Sequence, residues 1–254
     1  MAKGVLVDLT RCIGCGSCAV ACKLHNGLEW DPEKPIIDEK AVLAGENWTV
    51  ITSHVVAVKD REVWRFVKHQ CLHCLEPACA SSCFVSALRK TPEGPVVYNE
   101  DICVGCRYCM LACPFGVPKY EWDQQFPRVQ KCNMCFSRVN AGQVTACTVV
   151  CPTQALRFGE RDALLAEARR RIADNHAYVP AVYGEKEYGG TSWLYISDVP
   201  FEQMGFKTNV SERSIPSYTW SVLKWTPYIA VGWTAALTAL YLYTKRRAEV
   251  EEDH

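Results

Sequence analysis

The sequence lacks an excess of charge of either sign. Among its 254 residues, 28 are basic and 28 are acidic, so nothing indicates the strongly basic surface of a nucleic-acid-binding protein. It is not short of apolar residues either, since 49% are hydrophobic and only 22% are charged. This composition excludes a disordered or low-complexity protein, and the length predicts one or two folded domains.

Familiar catalytic and targeting motifs are also missing. The sequence has no convincing Ser/His/Asp set, no phosphate-binding P-loop and no G-x-G-x-x-G fingerprint. Residues 1–10 (MAKGVLVDLT) contain no apolar core, so we expect no cleavable signal peptide. These absences predict a protein without a catalytic pocket of its own.

Cysteine, by contrast, is abundant, with 16 residues in four groups of four and none left over. The first and third groups read C-x2-C-x2-C-x3-C, the second widens one gap, and the fourth contains an eleven-residue loop. This run of cysteines is typical of bacterial ferredoxins. The four runs are Cys12, Cys15, Cys18 and Cys22; Cys71, Cys74, Cys79 and Cys83; Cys103, Cys106, Cys109 and Cys113; and Cys132, Cys135, Cys147 and Cys151.

Disulfides, structural zinc and iron-sulfur clusters are the three interpretations of so many cysteines. Disulfide scaffolds are usually small secreted domains, and tetrahedral zinc sites have no place for a third cysteine at the same short spacing. Three cysteines two residues apart can wrap three corners of a [4Fe-4S] cubane. In two-cluster ferredoxins the last cysteine of each run binds the other cluster. Four runs therefore predict two interlocked pairs.

Internal repeats support this pairing. Residues 12–22 match residues 103–113 without gaps, and Asp8 and Asn99 each lie four residues before the first cysteine of their run. Short apolar segments at 4–7, 96–98 and 155–158 predict strands flanking the runs. The expected fold is α+β, with two interlocked ferredoxin-like units. Gly14 and Gly105 are interpreted equally well as sites of close approach to a cluster or as turn glycines.

An insertion at residues 23–70 separates the first two runs. Segments 48–58 and 62–67 are rich in β-branched and aromatic residues, which predicts a hairpin around Lys59, Asp60 and Arg61. Residues 162–175 have the composition of a helix. We assign residues 1–158 to the four-cluster domain and residues 159–218 to an extension and linker.

The C-terminal segment changes character. Residues 225–244 are 20 consecutive uncharged residues with aromatic residues at both ends, which as a helix span about 30 Å, the thickness of the hydrocarbon core. They predict one transmembrane helix over residues 219–244; the alternative is a buried core helix.

Basic residues set the expected orientation of this helix. Lys245, Arg246 and Arg247 directly follow the uncharged stretch 225–244, whereas Lys224 and Arg213 precede that stretch. The positive-inside rule then places residues 245–254 in the cytoplasm and the cluster domain on the periplasmic face of the inner membrane. We expect export with a partner subunit that carries a twin-arginine signal.

Several motifs identify a family. The segments Cys-Leu-His-Cys (71–74), Gly-Cys-Arg-Tyr-Cys (105–109), Ala-Cys-Pro-Phe-Gly-Val-Pro (112–118) and Lys-Cys-Asn-Met-Cys (131–135) closely resemble four-cluster iron-sulfur subunits of membrane-bound respiratory oxidoreductases. The resemblance covers residues 4–158. It is strongest to the β subunit of respiratory formate dehydrogenase and to the electron-transfer subunit of nickel-iron hydrogenases.

The resemblance implies four [4Fe-4S] clusters and assigns four cysteines to each. It also implies a non-catalytic electron-transfer subunit between an outward-facing molybdenum or tungsten catalytic subunit and a quinone-linked membrane subunit such as a cytochrome b. A nickel-iron hydrogenase partner is the alternative. A free-standing polyferredoxin or redox sensor is a hypothesis from a different functional class. The implied ligand sets are Cys12, Cys15, Cys18 and Cys151; Cys22, Cys132, Cys135 and Cys147; Cys71, Cys74, Cys79 and Cys113; and Cys83, Cys103, Cys106 and Cys109.

Overall fold

Short strands and short helices alternate along the chain. The computed structural model describes residues 2–58, 61–122 and 124–252. Its strands are β1 (Lys3–Asp8), β2 (Val50–Val58), β3 (Arg61–His69), β4 (Leu88–Lys90), β5 (Val96–Tyr98), β6 (Lys119–Tyr120), β7 (Val129–Gln130), β8 (Leu156–Glu160) and β9 (Trp193–Ile196). Its helices are α1 (Ser17–Asn26), α2 (Ala78–Ser81), α3 (Tyr108–Ala112), α4 (Phe136–Asn140), α5 (Ala146–Val149), α6 (Arg161–Asp174), α7 (Ile215–Leu223) and α8 (Thr226–Glu252). The chain divides into two units, residues 1–215 and 216–254.

The main sheet of the first unit has the strand order β8-β1-β9. The central strand β1 pairs antiparallel with β8 and parallel with β9. Because successive side chains of a strand point to opposite faces, Val5 and Val7 enter the largest hydrophobic core while Leu6 packs with Leu164 of α6 on the other face. The strands predicted at 4–7 and 155–158 and the helix predicted at 162–175 are therefore confirmed.

Strand β9 is not predicted from the sequence. It lies within the segment interpreted as an extension and linker, yet all four of its side chains are buried. Val199, Phe201 and Met204, which follow it, belong to the same core as Val5 and Val7. A strand covered on both faces is expected to be apolar throughout, and the sequence Trp-Leu-Tyr-Ile meets that requirement.

The four cysteine runs are held by two ferredoxin-like halves. In one half, α1 packs on α5 beside β1 and β8, which brings the first run next to the fourth. In the other half, α2 packs on α3 and on the β4-β5 hairpin, which joins the second run to the third. The strand predicted at 96–98 is observed as β5.

The insertion contains an antiparallel hairpin, β2-β3, paired from Val50 and His69 to Val58 and Arg61. Lys59 and Asp60, which were predicted to form its turn, lie outside the described residues. Val56 and Val67 place one face of the hairpin in the main core.

The second unit contains α7 and α8, where the sequence predicts one transmembrane helix over residues 219–244. In the structure, α7 ends at Leu223 and α8 begins at Thr226, so residues 224–225 separate two helices. Within the described part of the chain, no helix joins sufficient length with sufficient apolar character to cross a membrane. The alanines, threonines and glycine between residues 230 and 238 keep the hydropathy of α8 low. Residues 253–254 of the predicted cytoplasmic tail lie outside the described residues.

Candidate iron-sulfur cluster sites

The first set of cysteines lies where the first run meets the fourth. All sixteen cysteines are free thiols. Burial is the main cause that raises the pKa of Cys12, and the nearby thiols of Cys151 and Cys15 raise it further. Burial likewise raises the pKa of Cys18 to about 12. The thiols of this set lie close enough to act on one another electrostatically, and a bound cation would favour ionisation of Cys12 and Cys18.

The second set lines a small, partly enclosed cavity. Cys22, Cys132, Cys135 and Cys147 all line it, together with Lys68 and other side chains. Burial raises the pKa of each of the first three thiols, that of Cys135 to about 11. Four thiols facing one cavity form a donor set of the kind that holds an iron-sulfur cluster.

Hydrogen-bond donors already point at the sulfurs of this second set. The backbone N–H of Met134 donates to Cys132 Sγ at 3.3 Å, and that of Ala146 donates to Cys135 Sγ at 3.4 Å. The Asn26 side-chain amide lies 3.6 Å from Cys22 Sγ. Such bonds stabilise thiolates and set the potential of a bound cluster.

The third and fourth sets lie in the other half. Burial raises the pKa of Cys74, and the thiols of Cys71, Cys113 and Cys79 add to that rise. Burial also raises the pKa of Cys109 to about 11, with further contributions from the remaining members of the fourth set. Those members are Cys103, Cys106 and Cys83.

The assignment of four cysteines to each cluster stays a prediction from the family resemblance. Cysteines distant in sequence, such as Cys12 and Cys151 or Cys74 and Cys113, act on each other in the structure. Within the described residues, no group of three or more His, Cys, Asp or Glu side chains is positioned to hold a metal ion. The donor chemistry, sixteen free thiols with N–H donors directed at several of them, fits cubane clusters.

The sets follow one another in a row. Cys18 of the first set packs in the same core as Cys147 of the second. Cys132 of the second set and Cys71 of the third share another apolar cluster. Cys79 of the third and Cys109 of the fourth share a further one. Sequence spacing predicts the runs but not this order, which arises from how the two halves pack.

The two repeated glycines are required by the turns they occupy. Gly14 and Gly105 have φ values of +69° and +67°, a left-handed region that residues with a Cβ rarely adopt. A Cβ on Gly14 would lie 2.4 Å from the Phe66 ring, and one on Gly105 would lie 2.7 Å from Tyr120 Oη. The turn interpretation is therefore sufficient for both positions.

Buried basic side chains lie beside the cysteine sets, and no pattern in the sequence marks most of them. Lys23, Lys68 and Lys131 are 2–4% exposed. Lys131 Nζ donates to the carbonyls of Val96 and Cys132, and Lys23 Nζ donates to the Glu46 carbonyl at 2.9 Å. Clusters with four thiolates are net negative, so buried ammonium groups complement them.

His73, in the second run, is fully buried. The backbone N–H of Val96 donates to its Nδ1 at 2.8 Å, so the ring proton resides on Nε2. Burial, helped by nearby lysines, holds its pKa well below the usual value, and the ring is neutral. Among the described residues Nε2 has no hydrogen-bond partner.

Comparison with known proteins places all four runs in iron-sulfur domains. A family model described as a 4Fe-4S dicluster domain matches residues 62–161, and one described as a 4Fe-4S binding domain matches residues 3–24. A protein of Nitratidesulfovibrio vulgaris is 43% identical over 97% of this chain and 68% of its own length.

Two further relatives carry informative names. The hydrogenase-2 operon protein HybA of Escherichia coli O157:H7 is 36% identical over 79% of this chain and 71% of its own length. The formate dehydrogenase iron-sulfur subunit of Haemophilus influenzae is 33% identical over 98% of this chain and 82% of its own length. With its sixteen free cysteines and ferredoxin-like halves, the chain belongs to this family of iron-sulfur subunits, which carry multiple [4Fe-4S] clusters.

Proposed function

We propose that this chain transfers electrons, one at a time, through four [4Fe-4S] clusters that link a catalytic subunit to a quinone-linked membrane subunit. A bound cluster supplies a one-electron couple. The chain's own residues provide the thiolates, the N–H donors and the buried lysines that hold these couples. The chain itself performs no substrate chemistry in this proposal.

The row formed by the four sets is the observation that carries this proposal. Neighbouring sets share an apolar cluster, which includes Cys18 with Cys147, then Cys132 with Cys71, then Cys79 with Cys109. A redox sensor needs one cluster, whereas conduction over a distance needs such a succession. The row therefore favours a conductor over a sensor.

The two ends of the row reach the surface at equivalent positions of the repeat. Cys15 in the first set and Cys106 in the fourth are the exposed cysteines of the chain. Beside them, Ile13 is 59% exposed and Val104 is 60% exposed. Exposed apolar residues next to exposed ligands suit protein docking, so we assign electron entry and exit to these two loops.

The relatives indicate two classes of catalytic partner. The match to formate dehydrogenase iron-sulfur subunits extends over 98% of this chain, which supports a molybdenum or tungsten enzyme. The higher identity to HybA supports a nickel-iron hydrogenase as the second candidate. Metal analysis of the copurified complex separates the two candidates. Molybdenum or tungsten would indicate the formate dehydrogenase class, and nickel would indicate the hydrogenase class.

Attachment to the inner membrane, with the cluster domain on the periplasmic face, is part of the same proposal. Its support is sequence 225–244, which carries no charge, and the exposed apolar side chains of α8, among them Trp233, Leu237 and Tyr241. Washing membranes with alkaline carbonate tests it. Retention of the chain in the pellet is expected, and full release would refute insertion.

Cys106→Ser tests electron transfer itself. The change should remove one cluster, about four irons, and slow quinone-linked turnover of the complex, while dye-linked activity of the catalytic partner stays unchanged. Tyr108→Phe is the matched control, because it lies in the same loop and leaves every thiol in place. An unchanged quinone-linked rate in Cys106→Ser protein that has lost the iron would refute the proposal.

A further inference from the structure

Lys68 is the most deeply buried of the lysines beside the cysteine sets. It is 2% exposed and lies on β3 of the inserted hairpin, facing the cavity lined by the second set. Burying an ammonium group without a compensating charge costs several kcal/mol. Its environment therefore requires an explanation.

The described residues give Lys68 only neutral partners. Its Nζ donates to Gln70 Oε1 at 2.9 Å, lies 3.4 Å from Thr49 Oγ1, and sits 4.5 Å from the centre of the Trp193 ring. In the part of the chain that the structure describes, no carboxylate forms an ion pair with it. The negative charge that balances Lys68 must come from another source.

Burial acts to lower the pKa of Lys68, and thiols of two neighbouring sets act to raise it. Cys147, Cys132 and Cys22 belong to the second set, and Cys18 belongs to the first. In turn, Lys68 lowers the pKa of several of these thiols against the larger effect of burial. The ammonium therefore lies at the junction of the first two sites in the row.

A rigid network fixes the lysine in this place. Gln70 Nε2 donates to Tyr195 Oη at 2.6 Å, and the Tyr195 hydroxyl donates to the Lys68 backbone carbonyl at 3.0 Å. Because its amide nitrogen is bound to Tyr195, Gln70 presents its oxygen to Lys68 Nζ. The charge is thus positioned by three buried side chains from β3, from the residue after it, and from β9.

We propose that Lys68 is the built-in counter-charge of the first two clusters and that it raises the reduction potential of the second. This rests on the function proposed above. One-electron reduction adds one negative charge within the cavity that Lys68 lines, and a fixed positive charge at its wall favours the reduced form. The residue acts by positioning charge and supplies no ligand.

Potentiometric titration followed by electron paramagnetic resonance tests this in the anaerobically purified complex. Lys68→Met and Lys68→Gln remove the charge, and Lys68→Arg keeps it. Lys186→Met is the control, since Lys186 is 63% exposed and paired with Glu212, where solvent screens the charge.

In the neutral variants we expect one signal to move to lower potential, with an equilibrium constant for reduction at least tenfold smaller, or about 59 mV for one electron. The potentials of the third and fourth clusters should stay near those of the unmodified protein. All potentials in the Lys68→Arg and Lys186→Met variants should also stay near the unmodified ones. Loss of iron from the second set in both neutral variants, with full iron in Lys68→Arg, would also support the counter-charge.

Two outcomes would overturn the inference. One is a neutral variant with full iron and unchanged potentials. The other is a Lys68→Arg variant that loses iron, or shifts to lower potential, as the neutral variants do. The shape of the side chain rather than its charge would then matter. Failure of the proposed function looks different, because the unmodified protein itself would lack [4Fe-4S] signals.

Discussion

Asp8 offers the sharpest test of how the first cysteine run is held. Its carboxylate is fully buried four residues before Cys12. Oδ2 accepts hydrogen bonds from Arg171 Nη1 at 2.9 Å and from the Tyr178 hydroxyl at 3.0 Å. Oδ1 accepts the Thr10 hydroxyl at 2.6 Å. The carboxylate therefore ties the end of β1 to α6 and to the loop that leads into the first run.

Asp8→Asn keeps the shape but removes the charge and turns one acceptor into a donor facing other donors. Breaking a buried ion pair costs about 3–5 kcal/mol. Arg171 retains Glu167 as a second partner, so we take the low end, about 3 kcal/mol. For a unit of this size, that free energy lowers the melting temperature by about 6–12 °C.

The assay is thermal bleaching of the visible cluster absorbance under anaerobic conditions, at one heating rate for all samples. Asp162→Asn is the matched control, because the Asp162 side chain is 83% exposed beside Arg161, and it should shift the melting temperature by less than about 2 °C. Equal shifts for Asp8→Asn and Asp162→Asn would refute the reasoning. The double variant with Arg171→Met should be less destabilised than the sum of the single changes.

Three further predictions follow from the turns, the hairpin and the core. Gly14→Ala should lower the melting temperature more than Gly116→Ala. Both glycines have left-handed φ, but of the two only Gly116 has open space for a Cβ. Equal decreases would contradict this prediction, because backbone strain alone would then account for the loss of stability. Burial holds the pKa of His54 below its usual value. Acidification below about pH 6.5 should therefore lower stability, because the unfolded chain takes up the proton more readily than the folded chain. His54→Gln should flatten this pH dependence in melting curves, and an unchanged slope would contradict the prediction. Tyr195→Phe leaves the Gln70 amide and a backbone carbonyl unpaired. The free energy of unfolding, measured with denaturant, should therefore fall by about 2 kcal/mol. A decrease below about 0.5 kcal/mol would contradict the assigned hydrogen bonds.

The cysteine pattern predicts much of the candidate site because the required geometry is local. A loop such as Cys12 to Cys18 wraps one cluster corner after another, so its spacing is visible without the fold. The repeat of residues 12–22 at 103–113 indicates two similar units, but which run joins which is implied by the family resemblance and not by the repeat. The order of the sets in a row depends on how the two halves pack, and no local spacing encodes that.

Strand β9 and Lys68 show where sequence reasoning fails. Trp193 to Ile196 is a short apolar run far from any cysteine, and its parallel pairing with β1 joins residues almost two hundred positions apart. Lys68 reads as an ordinary polar residue of a hairpin strand. It is buried because the cavity of the second set lies beneath it, which only the packed structure reveals.

The transmembrane prediction for the C-terminal helix rests on its uncharged stretch, and the described residues include no helix apolar and long enough to cross a membrane. Residues 225–244 lack charge, but small and hydroxyl-bearing side chains such as Ala235 and Thr238 add little apolar character. An absence of charge is a weaker criterion than a high hydropathy.

Iron analysis of the anaerobically purified complex, combined with Mössbauer spectroscopy, tests the central claim most directly. Sixteen cysteines in four sets of four predict four [4Fe-4S] clusters in this chain, or about 16 irons beyond those of the partners. Half that iron content, or zinc in its place, would contradict the account.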